Sequence, residues 1–510
     1  MKHLLALLAL LAFVPTHAAE RPNIIVIMAD DLGYGDLSCY GAKAVQTPAI
    51  DRLAREGVRF TSGYCSASTC TPTRFSLLTG TYAFRQKGTG IAPPNGPAVI
   101  KPGTETLPGI LKRAGYATAV IGKWHLGLGD PAPDWNGELK PGPLDIGFDH
   151  CLLLPTTNDR VPQTFVEGRR VKNLDPADPL WVGNEKPAGD HPTGMTHRHT
   201  LKMDWSHGHN QTIHNGISRI GFYTGGTRAR FRDEDLADVW VKESNQWMEA
   251  NKERPFFLFF ASQDIHVPRI AHERFQGKST LGPRGDCIVQ FDWCVGELMK
   301  TLDRLGLTDK TLVVLCSDNG PVLDDGYKDD AVEKLGDHQP AGPYRGGKYS
   351  VWEGGTRTPF ITRWKGRIAP GVSDEIVSTV DFAASFAALT GELPVPNGCL
   401  DSLNVIDALL GKPGAKGRDH ILQQDNGSGN FGLRVGKWKL VRLEKRVQTQ
   451  ARVSKDAPPL PGVKHTLYQL TADPGERTDV SAAHPEVLHR ITTQLDRLIT
   501  DGRSRPDRVP

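Results

Sequence analysis

A chain of 510 residues, 38% hydrophobic and 23% charged, can bury one large core and a satellite domain, and this composition excludes intrinsic disorder as the ground state. A formal charge of +3 excludes polybasic recognition of nucleic acid or lipid headgroups, so local charge must carry any recognition of anions. Eight cysteines at irregular spacings exclude the dense framework of a small secreted domain and leave any disulfide pairing open.

In chain order, Lys2 and His3 precede an apolar run from Leu4 to Val14, and Thr16-His17-Ala18 follows. This pattern predicts a secretory signal peptide over 1–18, with a retained anchor as the alternative. The run is shorter than the ~20 residues of a membrane span, and no later stretch is long and uncharged enough to be one. The mature chain is therefore expected to be soluble in the periplasm or secreted, with no membrane insertion after cleavage.

Asn23 to Met28 reads as a buried strand that ends on Asp30 and Asp31. Thr47 and Pro48 open a helix whose Ile50, Leu53 and Ala54 share one face before Gly57, and a second helix precedes Gly115. A strand over 117–121 delivers Lys123 and His125, one over 256–260 delivers Asp264 and His266, and one over 311–315 delivers Asp318 and Asn319. A helix carrying Ile288, Phe291, Val295, Leu298, Leu302 and Leu305 lies between the last two. Strands alternating with helices predict an α/β fold with a mostly parallel sheet, whose carboxyl edge gathers these polar ends into one site.

Residues 150–235, rich in Gly, Pro, Asp and His, predict long loops over that edge, where selectivity would lie. Six histidines crowd there (191, 197, 199, 207, 209 and 214); solvated loop residues are the simpler account, and a soft-metal site the alternative. Trp205 and Tyr223 could stack on a sugar or merely pack. A helix from Asp381 stops at Gly391, and the Pro-rich 393–396 marks a boundary between a domain over 22–392 and a smaller α+β one over 393–510. The latter is predicted to hold a hairpin turning at Gly436-Lys437 and a helix over 485–499.

The segment Cys70-Thr71-Pro72-Thr73-Arg74, with Thr79-Gly80 five residues beyond the arginine, resembles the sulfatase family. The resemblance extends over most of 22–480. It implies an alkaline-phosphatase-like sandwich with helices on both sides of the central sheet, and an antiparallel sheet in the C-terminal subdomain. It also implies that a maturation enzyme oxidises Cys70 to formylglycine. Such a change makes chemical sense, because an aldehyde hydrate offers one hydroxyl to attack sulfur and a second whose collapse expels sulfate.

Asp30, Asp31, Asp318 and Asn319 match the family's metal ligands, with residue 70 completing the set. An all-oxygen set suits calcium, or magnesium, over zinc. Arg74, Lys123, His125, His266 (in His266-Val267-Pro268) and Lys348 match the remaining polar positions. Fixed cations there would steady a transferring sulfuryl group. By resemblance, His266 and Lys348 would protonate the leaving oxygen and His125 would take the proton that lets the sulfated hydrate collapse.

Stretches at 212–221 and 338–347 resemble bacterial polysaccharide sulfatases, which implies a sulfated carbohydrate substrate, with aryl sulfates turned over slowly. Hydrolysis of phosphonate or phosphate esters on the same fold, and glycan binding without catalysis, are the two alternatives.

Overall fold

The computed structural model describes residues 21–426, 429–444 and 462–505. The expected signal peptide over 1–18 lies outside these. Among the described residues no helix is long and apolar enough to cross a membrane, and all eight cysteines are free.

Five parallel strands form the centre: β1 (Asn23–Ala29), β2 (Ala117–Lys123), β3 (His150–Leu154), β4 (Phe256–Ala261) and β5 (Thr311–Ser317). They lie in the order β5-β1-β4-β2-β3 within a ten-stranded sheet whose outer strands are partly antiparallel. Each strand is apolar on both faces. Ile24, Val26 and Met28 of β1 enter one core, Ile25, Ile27 and Ala29 the other, so continuous apolar runs mark strands covered on both sides.

Helices α1 (Pro48–Arg55), α2 (Cys70–Thr79), α3 (Leu107–Arg113), α4 (Leu236–Ala250), α5 (Pro283–Leu305) and α6 (Phe382–Thr390) supply the covers. The first core takes Leu77, Ile110 and Phe386 from α2, α3 and α6. The second takes Ile50, Trp240 and Phe291 from α1, α4 and α5.

Two local expectations change in detail. Thr47 precedes α1, but its hydroxyl is engaged with Ser38 and Asp51. The cap comes instead from Asp292 of α5, whose carboxylate accepts from Ala49 N at 3.2 Å and Ile50 N at 2.8 Å. The helix ends at Arg55; Gly57 is required by the next strand contact, where a Cβ would lie 2.0 Å from the Thr362 carbonyl.

Beyond α6, Val405, Ala408 and Leu409 still pack in the first core. An antiparallel sheet follows, β6 (His420–Gln424), β7 (Asn430–Val435), β8 (Trp438–Leu443) and β9 (Lys464–Gln469), with β7 and β8 turning at Gly436-Lys437. Helix α7 (Pro485–Thr500) lays Ile491 and Leu495 against Leu433, Leu440 and Leu467.

Candidate active site

Strand register sets the site. Ala29 of β1 pairs with Ser317 of β5, so Asp30-Asp31 and Asp318-Asn319 leave the sheet side by side, and both pairs are fully buried. Asp31 takes a left-handed conformation (φ 58°), unusual for a non-glycine residue and typical of places where function sets the backbone. Gly320 lets the next chain close in, since a Cβ there would sit 1.8 Å from the Gly354 carbonyl.

Cys70 is the first residue of α2 and is 2% exposed. The remaining motif positions explain themselves locally. Pro72 falls in the first turn, where its missing N–H costs nothing. Thr71 Oγ1 donates to His125 O (2.9 Å) and accepts from Ala92 N (3.1 Å), while Thr73 Oγ1 donates to Ala67 O (2.9 Å). Gly80, at φ 60°, ends the helix in the left-handed cap.

Arg74, one turn further, donates Nε and Nη2 to Asp318 Oδ2 (3.1 and 2.9 Å), Nη2 to Asp30 Oδ2 (3.2 Å) and Nη1 to Lys123 O (2.9 Å). Lys123 Nζ also bonds Asp30 Oδ2. Lys348 Nζ bridges Asp31 Oδ2 (2.9 Å) and Asp325 Oδ2 (2.8 Å), and Tyr349 donates to Asp325 Oδ1 (2.9 Å). Asn319 Nδ2 donates to Asp31 Oδ1 (2.7 Å). The structure thus brings the residues matched to the metal and to the chemistry together at one end of the sheet, whereas Asp264 turns away to Gln263 and Gln290.

Burial and then the neighbouring Asp318 raise the Asp30 carboxyl to about 7, and burial likewise raises Asp31. Burial pushes the Cys70 thiol up against the pull of Lys123 and Lys348, so a bare thiolate is not what this site supplies near neutral pH. Burial would lower the Lys348 ammonium, but the facing Asp31 and Asp325 hold it well above its ordinary value.

Burial and then the charge of Lys123 push both His125 and His266 well below the usual imidazole range, so both are neutral. Their tautomers follow from their partners. His125 donates Nε2 to Ala92 O (3.1 Å) and keeps a buried Nδ1 with no partner. His266 donates Nδ1 to Val267 O (2.7 Å), and its Nε2 lies 3.9 Å from Asp31 Oδ2.

The sequence profile of the family described as Sulfatase matches residues 22–392. The chain belongs to the sulfatase family. It is 47% identical over 488 residues to an N-acetylgalactosamine-6-O-sulfatase of Bacteroides thetaiotaomicron, covering 94% of each chain, and 32% identical to human arylsulfatase A, covering 98% of this chain and 92% of the other. A solved Bacteroides thetaiotaomicron 6S-sulfatase, described in connection with the metabolism of multiple glycosaminoglycans, superposes with a TM-score of 0.89 at 47% identity, over 94% of this chain and 99% of that one. A phosphonate monoester hydrolase of Agrobacterium radiobacter shares the fold alone, at a TM-score of 0.58 and 18% identity. This sulfatase is accordingly a sulfuric ester hydrolase with the alkaline-phosphatase-like sandwich its motifs implied.

The family implies a metal ion, and the residues present fit one. Asp30 Oδ1 and Asn319 Oδ1 are buried oxygens with no hydrogen-bond partner, a costly arrangement that a cation would relieve. Ligand atoms of Asp30, Asp31 and His266 lie within 4.8 Å of one another, and Asp318 and Asn319 adjoin them through Arg74 and Asp31.

Several residues of this sulfatase escaped the sequence reading. Strand β3 falls inside the stretch that reads as loops, yet it lies beside β2 and delivers Asn158, Asp159 and Arg160. The signal was the one used for the other strands, a short apolar run (Cys151 to Leu154) ending in polar residues. Arg160 Nη1 bonds both oxygens of Asp159 (3.0 and 3.1 Å), and His209 Nε2 meets Asp159 Oδ2 at 2.9 Å. Arg160 is close enough to Cys70, Tyr349 and Asp325 for their charges to act on it.

The six loop histidines form no metal cluster among the described residues. His214 is buried between Phe231 O and Tyr223 OH. Tyr223 is fully buried and so cannot stack on a sugar; Trp205 packs under the Arg198 guanidinium, 4.3 Å away.

Proposed function

We propose that this sulfatase removes the 6-O-sulfate of an N-acetylgalactosamine-type residue in a sulfated carbohydrate. The N-acetylgalactosamine-6-O-sulfatase that is 47% identical over 94% of the chain supports that substrate. The observation that carries the chemistry is Cys70 at the start of α2, buried within the electrostatic reach of Lys123, Lys348, Asp318 and Asp30. Residues 22–392 would form the catalytic unit and 393–510 the smaller subdomain, in a protein exported to the periplasm or secreted after loss of 1–18.

Cys70, converted to formylglycine by a maturation enzyme, would supply a hydrated aldehyde whose hydroxyl is the nucleophile toward sulfur. A calcium ion held by Asp30, Asp31, Asp318, Asn319 and residue 70 would supply positive charge against the sulfate oxygens.

This chain's own side chains then divide the remaining work. Arg74 fixes Asp30 and Asp318 in the geometry of one buried site. Residue 70 begins α2, so the positive end of that helix would favour an anion beside it. Lys123 and Lys348 present fixed cations that need no reorganisation as charge shifts in the transition state. His125 Nδ1, an unpartnered acceptor, is poised to take a proton. His266 Nε2 faces the same centre, and the arriving anionic ester favours its protonated form, from which it can donate to the leaving oxygen.

Inorganic sulfate release from 6-sulfated N-acetylgalactosamine, set beside the 4-sulfated isomer and a matched 6-phosphate, tests this reading. Turnover of the 6-sulfate above both comparators is expected. Preference for the phosphate would move the activity to the phosphoesterase alternative. Binding without release by protein carrying the oxidised residue 70 would favour the non-catalytic one.

A further inference from the structure

A second cleft opens where the C-terminal subdomain meets the segment leading into the centre. It has a volume of about 590 Å³ and is lined by Gln339, Pro343, Tyr344, Arg345, Gly475 and Arg477, together with Gly342. No carboxylate lines it among the described residues. An adjoining cleft of about 820 Å³ shares Gln339, Gly342 and Pro343 with it and adds Lys43, Lys334 and one acid, Asp337, so the two form one groove. Cavities of this size hold ligands larger than a lone ion.

Two arginines and Lys43 are left uncommitted, whereas Lys334 pairs with Asp330 at 3.0 Å. The Arg345 guanidinium lies 4.0 Å from the centroid of the Trp352 ring, and its Nη1 donates to Glu476 O at 2.9 Å. The Arg477 backbone is fixed by the Asp473 carboxylate at 2.7 Å. Neither arginine, nor Lys43, makes an ion pair among the described residues. Tyr344 forms a rigid aromatic wall, edge-on to Tyr34 (4.9 Å, 80°), with the Arg357 guanidinium 4.4 Å from its ring.

We infer that this groove binds a sulfated stretch of the glycan chain outside the catalytic centre, with Arg345 and Arg477 on sulfate or carboxylate groups and Tyr344 and Gln339 on the sugar. Arginine forks match the planar and tetrahedral oxyanions of such chains, an aromatic wall suits a sugar face, and a groove rather than a closed pocket suits a polymer. Position supports it too. Arg345 and Lys348 are three residues apart, at most about 11 Å along the chain, so one segment joins the groove to the centre. With a whole-chain charge of only +3, a groove whose lining sets Lys43, Lys334, Arg345 and Arg477 against one acid, Asp337, is where an anionic polymer gains attraction.

The assignment rests on the reading of the substrate as a sulfated carbohydrate, so its test separates the two. Kinetics of the full chain and its Arg477→Glu variant are compared on 6-sulfated N-acetylgalactosamine and on a hexasaccharide ending in that residue. Matched melting temperatures check that the variant folds, and Arg477→Ala serves as the milder change. The expected result is a hexasaccharide KM raised about fivefold, with kcat and all monosaccharide constants within about twofold. The difference should shrink as salt rises above about 0.15 M.

Equal effects on both substrates, or none on either, would overturn the inference. So would competition by poly-glutamate as effective as by a desulfated-end hexasaccharide, which would reduce the groove to a charge patch. If the parent released no sulfate at all, the substrate reading would fail on its own. Calorimetric binding of the hexasaccharide to Cys70→Ala, with and without Arg477→Glu, would then still decide the groove.

Discussion

At the carboxyl edge of the sheet, Asp30 and Asn319 each keep a buried oxygen without a partner, whereas at the junction with the C-terminal sheet both oxygens of Glu353 are engaged. There, Lys439 Nζ (3.0 Å) and Gln423 Nε2 (3.1 Å) donate to Oε1, and Tyr64 OH (2.5 Å) and Arg357 Nη1 (3.2 Å) donate to Oε2. Both clusters are buried and both contain several ionisable groups. In one, Glu353 is fully engaged and ties β6 and β8 to the catalytic unit, and a single oxygen, Glu476 Oε1, is left without a partner. The other keeps Asp30 Oδ1 and Asn319 Oδ1 unpartnered and its carboxyls raised by burial and mutual repulsion, an arrangement that suits a cation.

The contrast can be broken most severely at residue 70. Cys70→Ala should cut kcat/KM for sulfate release by about 10⁴-fold or more while leaving the melting temperature within a few degrees. An equal loss of stability would show that the open cluster is structural after all. At the junction the pattern should invert. Lys439→Met removes one of the two cations bonded to the buried Glu353 and should cost about 3 kcal/mol of stability in denaturant titration, with kcat/KM below the transition changed by less than about threefold. A larger catalytic loss would mean that the junction sets Lys348 through the 348–353 segment.

Metal sharpens the difference on the other side. Calcium at about a hundredfold excess over its dissociation constant should stabilise the chelated protein by about 2.7 kcal/mol and restore activity, and Lys439→Met should show the same increment. An increment lost in that variant would place the ion's effect at the wrong cluster.

The smallest effect concerns Glu476, whose Oε2 accepts from Glu353 N at 2.7 Å. Burial, against the pull of Lys439, raises this carboxyl from 4.5 to about 8. A carboxyl raised on folding contributes stability fully below about pH 4.5, and that contribution fades as pH rises through about 8. Glu476→Gln keeps the acceptor and removes the titration, so its melting temperature should gain on the parent between pH 5 and pH 9. A pH-independent gap would contradict this protonation.

What was legible in the sequence follows the same division. β1, β2, β4 and β5 were readable because each is a long run buried on both faces that ends in a polar group, and the spacing of Cys70 to Arg74 is fixed by one turn of helix. β3 was missed because five residues do not separate a strand from a loop amid Gly and Pro, and with it went Asp159 and Arg160. Asp325, Tyr349 and the Glu353–Lys439–Glu476 junction were not legible either. Their partners are brought together by tertiary packing across as many as 289 residues in the pairing of Tyr64 with Glu353, and no local pattern records such a meeting. Thr47 shows the converse, a good local capping signal overridden by Asp292 from a distant helix.

The nucleophile is the central claim, and mass spectrometry of the peptide containing residue 70, from protein exported by its own host, tests it most directly. A mass corresponding to an aldehyde in place of the thiol methylene, together with reaction with an aldehyde-specific tag, is the predicted result. An unmodified thiol in preparations that release sulfate at full rate would contradict the account.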